Sequence, residues 1–143
     1  MTYRSDSDVF SPYGAIFRKN KTDENLTKIW ESKTKNTLWL VSNGLRTNNK
    51  RKELVERLKE KGMDIDLYGK LYQQPPNCPR YGASDDCERE FQSPYKFTIA
   101  FENNNCKGYV TEKFWKKADL YKMVPIVMTR DIYQSLNVNN SLN

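Results

Sequence analysis

Tyr95-Lys-Phe-Thr-Ile-Ala-Phe-Glu-Asn-Asn-Asn-Cys-Lys-Gly-Tyr109-Val-Thr-Glu-Lys113-Phe-Trp-Lys-Lys117 joins a short apolar strand to a helix start through a polar loop. The apolar run Phe97 to Phe101 closes in Glu102 and three asparagines, which predicts a strand over 95–103. Thr111 then offers an N-cap side chain ahead of a helix running from Glu112 to about Lys122, with Phe114, Trp115, Ala118 and Tyr121 on its buried face. At such a junction the helix-start N–H groups and the positive dipole end face whatever sits beyond the strand. Lys113 falls in the first helical turn, where a cation opposes the dipole, so a local anion such as a diphosphate would relieve its placement.

Working outward, the same alternation recurs. Thr37-Leu38-Trp39-Leu40-Val41 is an apolar run of strand length ended by Ser42-Asn43-Gly44. From Lys50 to Lys61, Leu54, Val55 and Leu58 recur at helical spacing, with Gly62 at the stop. Met63-Asp64-Ile65-Asp66-Leu67-Tyr68 alternates as a second strand and closes at Gly69. Residues 70–94, with Pro75, Pro76, Pro79 and Pro94, read as a long loop, and Val124-Pro125-Ile126-Val127-Met128 as a fourth strand. Strand, helix and strand in turn predict an α/β fold with a doubly wound, Rossmann-like parallel sheet over 37–136. Residues 1–36 read as a largely irregular lead-in with a short helix near Asn25 to Lys33, and 137–143 as a frayed tail.

A chain of 143 residues has room for one domain with a real core and not for two of ordinary size. Its 24 Lys and Arg against 18 Asp and Glu give a net charge of +6, which suits an anionic ligand or a solvated basic surface. The basic residues are interleaved with acids and the aromatics fall at core positions, a pattern that disfavours a nucleic-acid partner. Of Cys78, Cys87 and Cys106, the first two are the candidate disulfide, being close together in a Pro-rich loop. No histidine and no Cys-x-x-Cys spacing argue against zinc. The triplets Asn20-Lys21-Thr22, Asn25-Leu26-Thr27 and Asn139-Asn140-Ser141 fit the secretory pathway, while neither a signal peptide nor a membrane span is visible.

Phe101-Glu102-Asn103 followed by Tyr109-Val110-Thr111-Glu112-Lys113 resembles the donor-site signature of the alpha-1,3-fucosyltransferases. Three further segments agree in order: Met1 to Gly14 resembles the stretch preceding that family's donor domain, Val41-Ser42-Asn43 the end of its first strand, and Asp64 to Gly69 its second. The resemblance implies the carboxy-terminal, donor-binding half of a two-domain GT-B-type glycosyltransferase, here truncated, whose full-length relatives continue with further helices. It implies inverting transfer of fucose from GDP-fucose to a glycan hydroxyl, usually on N-acetylglucosamine, of a glycoprotein or glycolipid. It further implies a Golgi membrane location with the catalytic part lumenal and a membrane anchor only in a full-length form. No cofactor or metal is implied, so Asp6-Ser7-Asp8, two carboxylates that could share a cation, would belong to the interdomain lead-in.

By the same resemblance the donor-binding residues are Arg51, Asn103, Tyr109, Glu112 and Lys113, with Ser42, Asn43 and Lys50 as further candidates. Lys113 and an arginine after the first strand contact the diphosphate. The gap after Asn43 is one residue longer than the family's, which leaves Arg46, Lys50 and Arg51 all open for that role. Arginine suits it because its planar fork binds two phosphate oxygens together. Glu112 would accept from ribose or fucose hydroxyls, and read alone it is also a dipole-favoured first-turn carboxylate. The general base is expected in an amino-terminal acceptor domain that these residues do not include, so no catalytic residue is assigned. The other reading of the chain is a nucleotide-sugar-binding module that performs no transfer.

Overall fold

The computed structural model describes residues 2–16, 23–42, 47–78 and 85–136. Its elements are α1 (Leu26–Glu31), β1 (Lys35–Val41), α2 (Arg51–Glu60), β2 (Ile65–Gly69), α3 (Asp85–Gln92), β3 (Tyr95–Ile99), α4 (Glu112–Asp119), β4 (Val124–Ile126) and a 3-10 turn at Asp131–Leu136. The four strands form one parallel sheet in the order β2-β1-β3-β4. Thr37 pairs with Ile65 on one side and Phe97 on the other, which fixes β1 at the sheet's centre.

Alternation along β1 divides its side chains between two cores. Leu38 packs with Tyr68, Phe91, Tyr95, Tyr121 and Met123 on the face covered by α3. Trp39 and Val41 pack with Val55 of α2, Ile65, Ile99 and Phe101 on the other. A sheet buried on both faces explains the continuous apolar run of its central strand. Gly69 ends β2 where no side chain fits: its φ is +117°, and a Cβ there would lie 2.0 Å from the carbonyl oxygen of Val41.

The structure corrects the reading of residues 70–94 as one long loop, because α3 occupies Asp85–Gln92. Its inward positions include Glu88 and Gln92, both buried, so polar residues stand where apolar periodicity would have shown the helix. The loop before it is closed by a Cys78–Cys87 disulfide with Cα atoms 5.7 Å apart, and Cys106 is a free, exposed thiol. Elements are also shorter than their patterns: β3 stops at Ile99, α4 at Asp119 and β4 at Ile126. The face of α4 differs too, since Lys117 is its buried residue and Tyr121 is buried only beyond the helix end. The 137–143 tail lies outside the described residues.

The lead-in is held to the domain at two places. Asn25 caps α1, and Lys33 after it donates from Nζ to the carbonyls of Ser93 at 2.8 Å and Tyr121 at 2.6 Å. Nearer the start, Tyr3 and Tyr13 pack on Tyr109, and Gly14 lies so close to the Trp115 ring that a Cβ would fall 2.5 Å from it.

Candidate functional site

The chain runs from β1 out to β2, then returns past β1 to β3 and β4, so its direction reverses between β1 and β3. In open α/β sheets the ligand crevice opens at the carboxyl ends of the strands flanking such a reversal. A cavity of about 240 Å³ lies there, lined among others by Ser42, Arg51, Asn103, Glu112, Lys113 and Lys117. The structure thus brings together four of the five donor-binding residues expected from sequence, with Ser42 beside them. Tyr109 stands outside this lining and stacks against Tyr3 at 5.1 Å. Lys50 is exposed and also outside it, and Asn43 and Arg46 fall outside the described residues.

Two helix starts converge on the crevice, each with a cation in its first turn. Arg51 opens α2 and is only 2% exposed, with Nη1 donating to the carbonyl of Phe101 at 2.8 Å. Burial lowers the pKa of its guanidinium from the ordinary value, against the opposing charge of Glu102. The residue before it, Lys50, is an N-cap in the left-handed region at φ 51° with no side-chain capping bond, so α2 begins without a side-chain acceptor. Asn49 ties this turn to the opposite loop through hydrogen bonds from Nδ2 to the Glu102 carbonyl at 2.7 Å and to Asn105 Oδ1 at 3.1 Å.

At the start of α4 the buried carboxylate of Glu102 organises the turn. It accepts from the Thr111 amide at 2.7 Å and from the Thr111 hydroxyl at 2.9 and 3.0 Å. Thr111 Oγ1 in turn accepts from the Lys113 amide and from Lys113 Nζ at 3.0 Å, and Nζ lies 3.3 Å from carboxylate oxygens of both Glu102 and Glu112. Burial raises the pKa of Glu112, but Lys113 together with hydrogen bonds from the Glu112 backbone and the Thr111 side chain outweighs it and holds the carboxyl below its ordinary value. Asn103 adds an Oδ1 that is buried without a hydrogen-bond partner, an acceptor the crevice leaves open to a ligand's donor.

Sequence reasoning missed the wall formed by α3 and the second turn of α4. Lys116 pairs with Glu88 at 2.9 Å and Lys117 donates to Gln92 Oε1, while Tyr121 donates to Glu88 at 2.9 Å. The spacing of Lys117, four residues after Lys113 and so on the same helix face, was the available signal. A larger cavity of about 480 Å³ lies between the lead-in and the 106–110 loop. Its lining includes two oppositely charged lead-in groups, Arg4 and Asp6, bonded at 2.8 Å from Nε, together with Lys107. The smaller crevice is the one that gathers the helix-start cations Arg51 and Lys113.

A parallel α/β sheet with a basic crevice at its switch point defines the class as a Rossmann-like domain. Within that class the chain belongs to the fucosyltransferases of glycosyltransferase family 10, since residues 30–142 match the family's carboxy-terminal part, described as Glycosyltransferase family 10 (fucosyltransferase) C-term. It is similar to the alpha-(1,3)-fucosyltransferase fut-5 of Caenorhabditis elegans, with 60% identity over 99% of this chain and 38% of that protein. The alpha-(1,3)-fucosyltransferase fut-6 of the same organism is 44% identical over 99% of this chain and 36% of its own length. Glycoprotein 3-alpha-L-fucosyltransferase A of Drosophila melanogaster is 37% identical over 89% and 25% respectively. The chain therefore spans well under half the length of these relatives.

Proposed function

We propose that this chain binds GDP-fucose and supplies the donor half of an alpha-1,3-fucosyltransferase, which transfers fucose with inversion to a glycan hydroxyl, usually on N-acetylglucosamine. The observation that carries this reading is the crevice between β1 and β3. There Arg51 and Lys113, each in the first turn of a helix, stand with Asn103 and Glu112 in a chain of this family.

The leaving diphosphate gathers charge as the glycosidic bond breaks, and two helix starts with fixed cations stabilise it without reorganisation. Glu112 and the Asn103 amide accept and orient hydroxyls of the donor. Tyr109, packed between the lead-in and the loop, shapes the approach rather than the crevice floor. The base that takes the acceptor's proton belongs to an amino-terminal acceptor domain of the whole enzyme. In this reading residues 1–36 are the interdomain lead-in and 37–136 the donor domain.

The disulfide and the Asn-x-Ser/Thr triplets favour an oxidising, glycosylating compartment, in keeping with a Golgi lumen location. Among the described residues no helix is long and apolar enough to cross a membrane.

Calorimetric titration of the chain with GDP and GDP-fucose tests the reading. Saturable binding that is lost in Lys113→Ala and Glu112→Ala supports it, and a folded chain that binds neither nucleotide refutes it. Donor binding without turnover when acceptor sugars are supplied would identify a nucleotide-sugar-binding module.

A further inference from the structure

Lys117 is 6% exposed and still lines the crevice, one helical turn beyond Lys113 on the same side of α4. With Arg51, Lys113 and Lys116 it places four basic side chains around a cavity whose surface carries one carboxylate, Glu112. Two more carboxylates, Glu88 and Glu102, stand buried behind the wall, so three acids face Arg51, Lys113 and Lys116, and a charged Lys117 is a fourth cation. Like charges three and four residues apart on one helix face repel.

Each element packed against Lys117 contributes to its setting. From α3 come Glu88 and the Gln92 amide, whose Oε1 accepts from Nζ. From its own helix come Lys116 and Glu112, and from the turn after it the Tyr121 ring, with its centroid 5.4 Å from Nζ. Glu88 is already engaged by Lys116 and the Tyr121 hydroxyl, so one buried carboxylate serves two lysines. Gln92 can serve either state of the amine. Its Oε1 accepts from an ammonium, and an amide turned by half a rotation would donate from Nε2, which has no partner here, to a neutral amine's lone pair.

We propose that Lys117 serves the diphosphate of a nucleotide sugar as a further cation whose protonation the arriving anion completes, coupling donor binding to proton uptake. The inference rests on the donor-binding reading above. Burial pushes the Lys117 amine down to about 7, against the favourable charges of Glu88 and Glu112 and with the repulsion of Lys116. A diphosphate in the crevice adds opposite charge next to it and raises that value again. The step is a single proton transfer: the buffer acid's bond to hydrogen breaks, an N–H bond forms at the Nζ lone pair, and the buffer base is released to solvent.

The test is calorimetry of the full chain with GDP-fucose at pH 8.0 in two buffers of different ionisation enthalpy. The donor's diphosphate has no proton to exchange near neutrality, so the buffer-dependent heat counts protons taken up by the protein. The expected uptake is about 0.9 proton per donor bound, with affinity falling about tenfold per pH unit above pH 8. In Lys117→Met the uptake falls below about a fifth of a proton and the pH dependence flattens. Donor binding by the wild-type chain with no uptake, or uptake undiminished in Lys117→Met, overturns the coupling while leaving the donor site intact. Absence of GDP-fucose binding overturns both. NMR titration of the lysine ε-carbons in the wild-type chain gives the answer without a core substitution. The Lys117 midpoint near 7 should move up by about three pH units when GDP-fucose is added, the shift that an uptake of about 0.9 proton at pH 8.0 requires, and a midpoint that stays in place refutes the proposal.

Discussion

Glu102 holds the start of α4 together, and its substitution tests that claim quantitatively. The side chain is 2% exposed and ties the Thr111 amide at 2.7 Å, the Thr111 hydroxyl at 2.9 and 3.0 Å and, at 3.3 Å, the Lys113 ammonium. Hydrogen bonds to a charged group contribute roughly 1.5–3 kcal/mol each, and Thr111 is itself buried, so its amide would have no water to turn to. Glu102→Ala removes both Thr111 bonds and leaves a small void, for an expected cost of about 4 kcal/mol. Glu102→Gln keeps the shape: Oε1 still accepts from the amide and Nε2 donates to Oγ1. Only the charge and the pairing with Lys113 are lost, and the expected cost is about 1–2 kcal/mol. Urea unfolding followed by tryptophan fluorescence reads both values, provided the denaturant slope stays constant. An alanine variant within about 1 kcal/mol of wild type, or a glutamine variant as costly as alanine, would refute the role given to this carboxylate.

Three further outcomes follow from particular contacts. Gly69→Ala combines a φ of +117° with a Cβ 2.0 Å from the Val41 carbonyl oxygen, so it should lose at least about 3 kcal/mol, measured by thermal unfolding. A loss under about 1 kcal/mol would show that β1 and β2 part easily there. Opening the Cys78–Cys87 link with Cys78→Ser and Cys87→Ser together releases a loop closed across a sequence separation of nine, worth about 3 kcal/mol in the loop-entropy account. Urea midpoints of the two proteins decide it. For Lys117 the folded value is about 7 and the unfolded reference 10.5, so between those limits the unfolded state binds more protons and stability rises with pH. Comparing wild type with Lys117→Met at pH 7.5 and 9.5 should show the difference closing by roughly 1.4 kcal/mol per pH unit, and a constant difference would count against a neutral buried amine.

What could be read from the chain and what could not divide along a physical line. Thr37 to Val41 is buried on both faces of the sheet, and such a strand announces itself as an unbroken apolar run. Thr111 and Gly69 are legible for a different reason: capping and left-handed backbone restrict residue type locally, whatever packs around them. The helix α3 was hidden because its buried side includes Glu88 and Gln92, whose burial makes sense only beside Lys116, Lys117 and Tyr121, some 25 to 33 residues later. Pattern reading assumes that buried means apolar, and it fails where buried polar groups satisfy one another across elements.

The same division bears on the site. Lys113 was legible from its place in a helix's first turn, whereas Arg51, Asn103 and Glu112 were named through the family resemblance, with Arg46 and Lys50 left open beside Arg51; all four lie at strand ends and helix starts. Lys116 and Lys117 sit one turn further into α4, and whether that turn faces solvent, core or crevice depends on where α3 lies. A helix whose buried residue is a lysine cannot be held by apolar burial at that point, so there α4 leans on Gln92 and Glu88 of α3, while its Phe114 and Trp115 pack on Val110, Ile132 and Tyr133. The wall that positions Lys117 and the wall that closes the crevice are therefore one structure. It follows that removing the Glu88 carboxylate should disturb nucleotide binding as well as stability, although Glu88 does not line the crevice. Its effect would pass through Lys116 and Tyr121 rather than through contact with the donor.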